Sequence, residues 1–244
     1  MAIYRASNTP PWAGEQIGIL VLDELVPRVP GSVGHLDTFP YPVRYRKIPG
    51  ATVERLLMKR DLSMRDSFIE AALELRNEGA SAIVGCCGFM ALFQQDVAAA
   101  VDVPVMMSSL SQIPFIEAAL PAERRIGVVT ANAGSLTDEL LRCAGVANAS
   151  SRLCIRGLEN CPEARGALLE EKGTLDEPAL RREVLETAVQ VTSENPEIGA
   201  ILLECSELPP YAADVHRATG LPVFDFVTMI DCLNAAVRPR TWPV

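Results

Sequence analysis

Residues 80–89 read ASAIVGCCGF and residues 198–207 read IGAILLECSE. Each is a short apolar run that ends on a cysteine and then turns toward a helix. The spacing repeats: Ala82 to Cys87 is five steps, as is Ala200 to Cys205, and Cys87 to Pro104 is seventeen, as is Cys205 to Pro222. Each second proline opens another apolar run, VPVMMSS at 103–109 and LPVFDFV at 221–227. Continuous runs of this length, rich in β-branched residues, are the mark of parallel strands buried on both faces. Helical patterns lie between them, so the chain reads as repeated βαβ units.

Working outward gives the remaining elements. Strands are expected at Ile17–Asp23, Val43–Ile48, Ala82–Gly85 and Val103–Met107, then at Arg125–Thr130, Ser151–Ile155, Ala200–Leu203 and Pro222–Asp225. Helices are expected at 52–58, at 63–79 with Ser63 as N-cap and Gly79 as stop, and at 90–100 and 111–120. Further helices are expected at 135–143, 178–194, 209–219 and 227–237, with a charged, partly helical connection at 162–175. Residues 1–16, with Pro10, Pro11 and Gly14, read as an irregular arm. RIGVVT at 125–130 echoes IGILVL at 17–22. The expected fold class is therefore α/β: two Rossmann-like (flavodoxin-like) halves with parallel sheets, related by a pseudo-twofold axis, with the active site in the cleft between them. The halves are placed at 1–123 plus 224–244 and at 124–223.

Composition narrows the function. The chain has 244 residues, 49% of them hydrophobic, and a formal net charge of −9. An acidic chain with no basic face argues against nucleic acid and against an anionic membrane as partners. No run of about 18 apolar residues predicts a membrane span, and the N-terminus lacks the pattern of a secretory signal. Seven cysteines without a regular framework suit a reducing compartment, so a cytoplasmic location is expected. There is no C-x₂-C pair, and His35 and His216 have no ligand partner nearby in sequence, so no metal is expected. No G-x-S-x-G elbow occurs. No glycine-rich fingerprint follows Asp23 or Thr130, so no dinucleotide cofactor is expected either.

In open parallel sheets, ligands bind beyond the carboxyl ends of the strands. Cys87, Thr130 and Cys205 fall there and are expected to line one pocket. Single free cysteines are usually small buried hydrophobes, which is the reading for Cys143, Cys154 and Cys232. Cys161 lies in a polar connection and reads as an oxidisable thiol. Cys86, in register with Glu204, reads as structural. Cys87 and Cys205 differ because each precedes a turn into a helix, where backbone N–H groups favour a thiolate. Two thiols on opposite flanks of one carbon can remove a proton from one face and return one to the other. Ser108, Ser109, Thr130, Asn132 and Ser206 are candidate carboxylate donors at strand ends, with helix capping as their ordinary role. Asp23, Arg44 and Tyr45 are candidates to reach the cleft.

The stretches GCCGFMALFQ (85–94), VPVMMSSLSQIP (103–114) and LLECSELPPYAADVHRATGLPVFD (202–225) resemble the aspartate/glutamate/hydantoin racemase superfamily. Residues 27–50 resemble the branch that holds Alma-type dimethylsulfoniopropionate (DMSP) lyases and uncharacterised bacterial racemase-like proteins. The resemblance implies a cofactor-independent enzyme, with Cys87 and Cys205 as its catalytic pair. It also implies a homo-oligomer, dimer or higher, and a small carboxylate as substrate. Many amino acid racemases carry Cys-Asn-Thr and Cys-Thr-Glu where this chain reads Cys87-Gly88-Phe89 and Cys205-Ser206-Glu207. The change implies recognition through backbone N–H groups and a more apolar wall. The reaction expected first is racemisation or epimerisation of an amino acid or related carboxylate. Elimination of a β-sulfonium, with Tyr45, Phe89 or Tyr211 against the cation, comes second. A non-catalytic carboxylate-binding protein on the same fold is the alternative of a different kind.

Overall fold

The computed structural model describes residues 14–146 and 152–242. Most of the expected N-terminal arm, residues 1–13, and the first residue of the expected strand at 151–155 lie outside the described residues.

Two four-stranded parallel sheets form the frame. The first has the order β2-β1-β3-β4, from β1 (Ile17–Val21), β2 (Val43–Lys47), β3 (Ala82–Gly85) and β4 (Val105–Met106). The second has the order β6-β5-β7-β8, from β5 (Arg125–Thr130), β6 (Leu153–Gly157), β7 (Ile198–Leu203) and β8 (Val223–Phe224). Ile83 pairs with Val105 and Ile201 with Val223, so the repeat seen in sequence is also a repeat of register.

Side chains alternate across a strand, and the second sheet uses both faces. Ile126, Val128, Ala200 and Leu202 belong to the core that also holds Ile17, Ile83 and Phe68 of the first half. Val129, Ile201 and Leu203 point the other way, onto Leu180, Val184, Ala188 and Val215. Those partners lie on α6 (Glu177–Glu194) and α7 (Ala212–Thr219). Fully burying one such aliphatic side chain contributes about 1.5–3 kcal/mol, so the shared face fixes the two sheets against each other.

The helices refine the sequence reading. Asp61, not Ser63, caps this region: its carboxylate accepts from the Ser63 N–H, and α1 starts at Arg65 and runs to Asn77. Phe68, Ala71, Ala72 and Leu75 are its buried stripe. The helix expected at 90–100 opens as a tighter 3₁₀ turn, Gly88–Phe93, before α2 (Gln94–Ala100). Phe93 stacks on Phe68 with ring centroids 4.2 Å apart, which anchors the turn that follows Cys87. Strand β4 is shorter than expected because Gln94 of α2 takes over its backbone, donating to Val105 O and accepting from Met107 N.

The helix expected at 52–58 and the charged connection at 162–175 each shrink to one π-type turn, Glu54–Met58 and Arg165–Leu169. The second follows α5 (Pro162–Ala164). Wide turns of this kind are rare and are often found at functional sites. The remaining helices are α3 (Ile113–Ala119), α4 (Asp138–Cys143) and α8 (Phe226–Val237). Asp225 and Thr228 form a reciprocal capping box at the start of α8, and that helix packs back against β3. Among the described residues no helix is long and apolar enough to cross a membrane.

Candidate active site

Parallel pairing points the carboxyl ends of β1, β3, β5 and β7 toward the same region, and one small cavity of about 40 Å³ opens there. Cys87, Gly88 and Phe89 reach it from the end of β3, and Glu204, Cys205, Ser206 and Glu207 from the end of β7. The loop after β1 adds Leu22, Glu24 and Val26. The two π-type turns contribute Leu57 and Leu169.

The two thiols have matching surroundings. The Cys87 sulfur accepts from the backbone N–H of Phe89, two residues on, and the Cys205 sulfur accepts from that of Glu207, also two residues on. These bonds favour a thiolate, as expected from the sequence. Burial outweighs them and pushes both thiols well above the ordinary range, helped by the negative charge of Glu204. Desolvation favours the neutral form of an acid, so both sulfurs are protonated at neutral pH.

Glu204 is central to the site, although the sequence reading passed over it as the partner in register of Cys86. The two positions do not share a role. Cys86 is 1% exposed and pushed up to about 12 by burial and the nearby Glu24. Glu204 continues the alternation Ala200, Leu202, Glu204 on the face turned toward the first half, as Thr130 continues Ile126 and Val128. That pattern was the available sequence signal. Thr130 donates its hydroxyl to Glu204 Oε2 at 2.7 Å, and Ser109 donates to the Glu204 carbonyl at 3.0 Å. Glu204 Oε1 is buried without a partner. It lies against Gly88, where an added Cβ would sit 1.2 Å from Oε1. Gly88 is therefore a steric requirement of Glu204.

Burial raises the Glu204 carboxyl to about 7, against the lowering effect of Thr130. The folded chain thus holds this proton more tightly than the unfolded chain does. The stability associated with it is complete below the ordinary carboxylate range, falls as pH rises, and is lost above about 7. The total is about 3 kcal/mol. Glu204→Gln should therefore stabilise the protein at pH 8 by roughly that amount and by less than about 1 kcal/mol at pH 5. Chemical denaturation at the two pH values measures the difference, and equal gains at both would contradict the assignment.

Arg28 also escaped the sequence reading. It is ion-paired to both Glu24 and Glu207, bridging the loop after β1 to the end of β7. Burial raises the Glu207 carboxyl while Arg28 holds it down. The Val33 N–H bonds the Ser206 carbonyl at 3.1 Å, a second tie between the halves. Among the described residues lining the cavity none is Lys, Arg or His.

Other candidates lie outside the cavity lining. Asp23 pairs with Lys47 Nζ at 2.8 Å and accepts from Gly50 N, which holds its carboxyl below the usual range. Tyr45 donates to the Val33 carbonyl, so it braces the loop instead. Arg44 pairs with Glu15 and Glu78. Ser108 caps its own turn by accepting from the Leu110 N–H. Ser109 and Thr130 act on Glu204 from behind, and Asn132 lines a separate surface depression with Glu159 and Arg165. Tyr211 is fully buried under Arg181, 5.3 Å from its ring centroid. His35 and His216 are on the surface, bonded to Asp37 N and Leu221 O. Cys161 is half-buried beside Thr187, and Cys232 is exposed, not packed as expected. Among the described residues, no three His, Cys, Asp or Glu side chains are grouped to hold a metal.

A two-sheet parallel α/β chain with paired thiols at one cavity defines a class, and comparison with known proteins supplies its family. The sequence profile of the Asp/Glu/hydantoin racemase family matches residues 66–230, and the chain belongs to that family. It is 35% identical over 221 residues to a dimethylsulfoniopropionate lyase of Durusdinium sp. clade D, covering 88% of this chain and 72% of that protein. It is 36% identical over 233 residues to dimethylsulfoniopropionate lyase 6 of Emiliania huxleyi, covering 92% of this chain and 61% of that protein. The chain thus spans roughly two thirds of the length of these relatives.

Solved structures of the same fold include arylmalonate decarboxylase in a sulfate-associated form. Its TM-score is 0.60 at 19% identity, over 92% of this chain and 94% of that one. Another is glutamate racemase RacE1 of Bacillus anthracis, with TM-score 0.57 at 14% identity, over 91% and 81%.

Proposed function

We propose that the protein removes the proton α to a carboxylate without a cofactor, and that its reaction is β-elimination from a sulfonium propionate such as DMSP. The observation that carries this reading is the character of the cavity: apolar walls from Leu22, Val26, Leu57, Phe89 and Leu169, with the carboxyls of Glu24, Glu204 and Glu207. A dimethylsulfonium is a cation whose outer surface is methyl groups, so it gains from both. The 35–36% identity to relatives named as DMSP lyases supports the same choice. Elimination therefore moves ahead of racemisation, which the sequence had placed first.

A cysteine thiolate takes the α-proton, the C–H electron pair forms the Cα–Cβ double bond, and the Cβ–S bond breaks with its pair going to sulfur. The products are acrylate, dimethyl sulfide and a neutral thiol. Burial holds the thiols protonated, and a sulfonium beside one of them favours its ionised form, because an opposite charge within a few ångströms favours the charged form of an acid; the proton lost on ionisation passes to solvent before the α-proton is taken.

A racemase reading is favoured by one specific feature, the matched pair of thiols, because elimination needs a single base. The test is incubation of DMSP and of candidate amino acids in D₂O. Dimethyl sulfide and acrylate from DMSP, with no deuterium entering amino acids, are expected. Deuterium at Cα with loss of optical rotation, and no dimethyl sulfide, would replace the lyase reading with the racemase one.

A further inference from the structure

The cavity at the two sulfurs measures about 40 Å³. About 10–15 Å³ of such space admits one water, and sites for small organic ligands typically span about 300 Å³ or more. A carboxylate substrate therefore enters only when part of the wall moves. Just outside lies the surface depression, of about 370 Å³, and Leu169 lines both spaces. The two π-type turns stand between them. Leu57 and Leu168, each 5% exposed, line the cavity, and their chain neighbours Met58 and Leu169 line the depression.

The two turns are built alike. In the first, the Lys59 N–H bonds the Glu54 carbonyl at 3.0 Å and the Asp61 N–H bonds the Arg55 carbonyl at 2.9 Å. In the second, the Glu170 N–H bonds the Arg165 carbonyl and the Lys172 N–H bonds the Gly166 carbonyl, both at 3.0 Å. By this register Leu57 corresponds to Leu168, and Met58 to Leu169. Each set of bonds closes around a residue in the left-handed region, Arg60 with φ 49° and Glu171 with φ 50°. Among the described residues these are the two non-glycine positions with positive φ. A residue with a Cβ is held there only by its surroundings, and such positions gather at switch regions. Glu171 Oε1 accepts from the Leu25 N–H at 2.8 Å, which ties the second turn to the loop after β1. Other parts of the wall are anchored differently: Cys87 and Glu204 follow strands, and Phe89 lies in the turn fixed by Phe93 on Phe68.

We propose that the two π-type turns are the paired leaves of a gate, that substrate enters from the depression between them, and that Leu57 and Leu168 set the size of the carboxylate admitted to the sulfurs. One leaf follows β2 and the other precedes α6, so each half of the fold supplies one. A π-type turn carries more residues than an α-turn. Returning its bonds to α spacing rotates the leucine about the turn axis, off the cavity, and frees the left-handed residue from its strained region. Reclosure then shuts water out around the bound ligand. The inference rests on the reading of the thiol cavity as the reaction site, and not on the choice between elimination and racemisation.

Thiol labelling tests entry without any substrate. N-ethylmaleimide is neutral and too large for the closed cavity. The full chain is labelled at pH 8.5, and modification of Cys87 and Cys205 is followed by peptide mass spectrometry. Exposed Cys232 is the internal reference for reagent reactivity, and Cys154, buried in the core of the second half, reports any general unfolding. Leu57→Ala and Leu168→Ala should each speed labelling of the cavity thiols by about tenfold or more, because local opening is easier once buried contacts are removed. Leu22→Ala enlarges the same cavity from the end of β1 and should leave the rate within about twofold. Leu169→Trp, at a half-buried position, fills the depression and should slow labelling by about tenfold.

The proposal is overturned if neither alanine variant of the turns speeds labelling, or if Leu22→Ala speeds it as much as they do. It also fails if Leu169→Trp labels like wild type. Should the alanine variants label Cys154 as well, their fold has opened, and Leu169→Trp against wild type decides the matter. Failure to release dimethyl sulfide from DMSP would remove the lyase reading and leave this result standing, whereas unchanged labelling would remove the gate and leave the lyase reading standing.

Discussion

Cys87→Ala and Cys205→Ala should each lower kcat/KM for the α-proton reaction, and the two losses should be unequal if the reaction is elimination. A positioned general base is worth roughly 10²–10⁴-fold. The sulfur that takes the proton should show a loss of that size. The other sulfur belongs to a residue lining the same cavity and is required only if a proton is returned to carbon. A smaller loss there, with dimethyl sulfide still formed, identifies the base. Comparable large losses at both, together with deuterium incorporation into an amino acid, identify a racemase. The measurement is steady-state release of acrylate and dimethyl sulfide by each variant, with an intact fold checked by circular dichroism. Wild-type rates in both variants would end the two-thiol chemistry altogether.

Arg28→Met should destabilise the protein by about 3–5 kcal/mol at pH 8, the usual cost of removing one partner of a buried ion pair. Arg28 satisfies two carboxylates at once, Glu24 and Glu207, whose side chains are only 8% and 4% exposed. Methionine keeps most of the apolar length of the side chain, so the loss reports charge and not packing. Glu207 already has its carboxyl raised by burial, and losing the guanidinium raises it further. Its proton then binds more readily to the folded chain than to the unfolded one, so the penalty is greatest at high pH and shrinks as pH falls. Urea unfolding at pH 8 and pH 5 separates the two conditions. A loss below 1 kcal/mol at pH 8 would mean that Glu24 and Glu207 are hydrated and that the bridge is not structural.

Much of the architecture was legible because the relevant forces are local and periodic. The apolar run Ala82–Gly85, the strand Arg125–Thr130 and the stripe Phe68, Ala71, Ala72, Leu75 all follow from spacing alone. Where the boundaries moved, a side chain intervened from elsewhere: Gln94 replaced a strand partner of β4 and Asp61 displaced Ser63 as cap. The two cysteines were legible because the chain repeats a βαβ unit and each thiol follows its strand. Glu204 was harder to see, since register alone equates it with Cys86, although its face of the strand differs in use.

What the amino-acid sequence by itself determined is the pair of parallel sheets and the position of a thiol at the end of one strand in each. These follow from hydrophobic period and chain repetition, which need no knowledge of distant contacts. Tertiary structure alone decided which polar groups meet and in what ionic form. Asp23 and Tyr45 turn to Lys47 and to the Val33 carbonyl, Arg28 reaches Glu207 across 179 positions of sequence, and burial keeps the thiols protonated and lifts Glu204 toward neutrality. The physical reason is that ionisation depends on desolvation and on neighbours brought close by packing, and neither is encoded within any short stretch of chain.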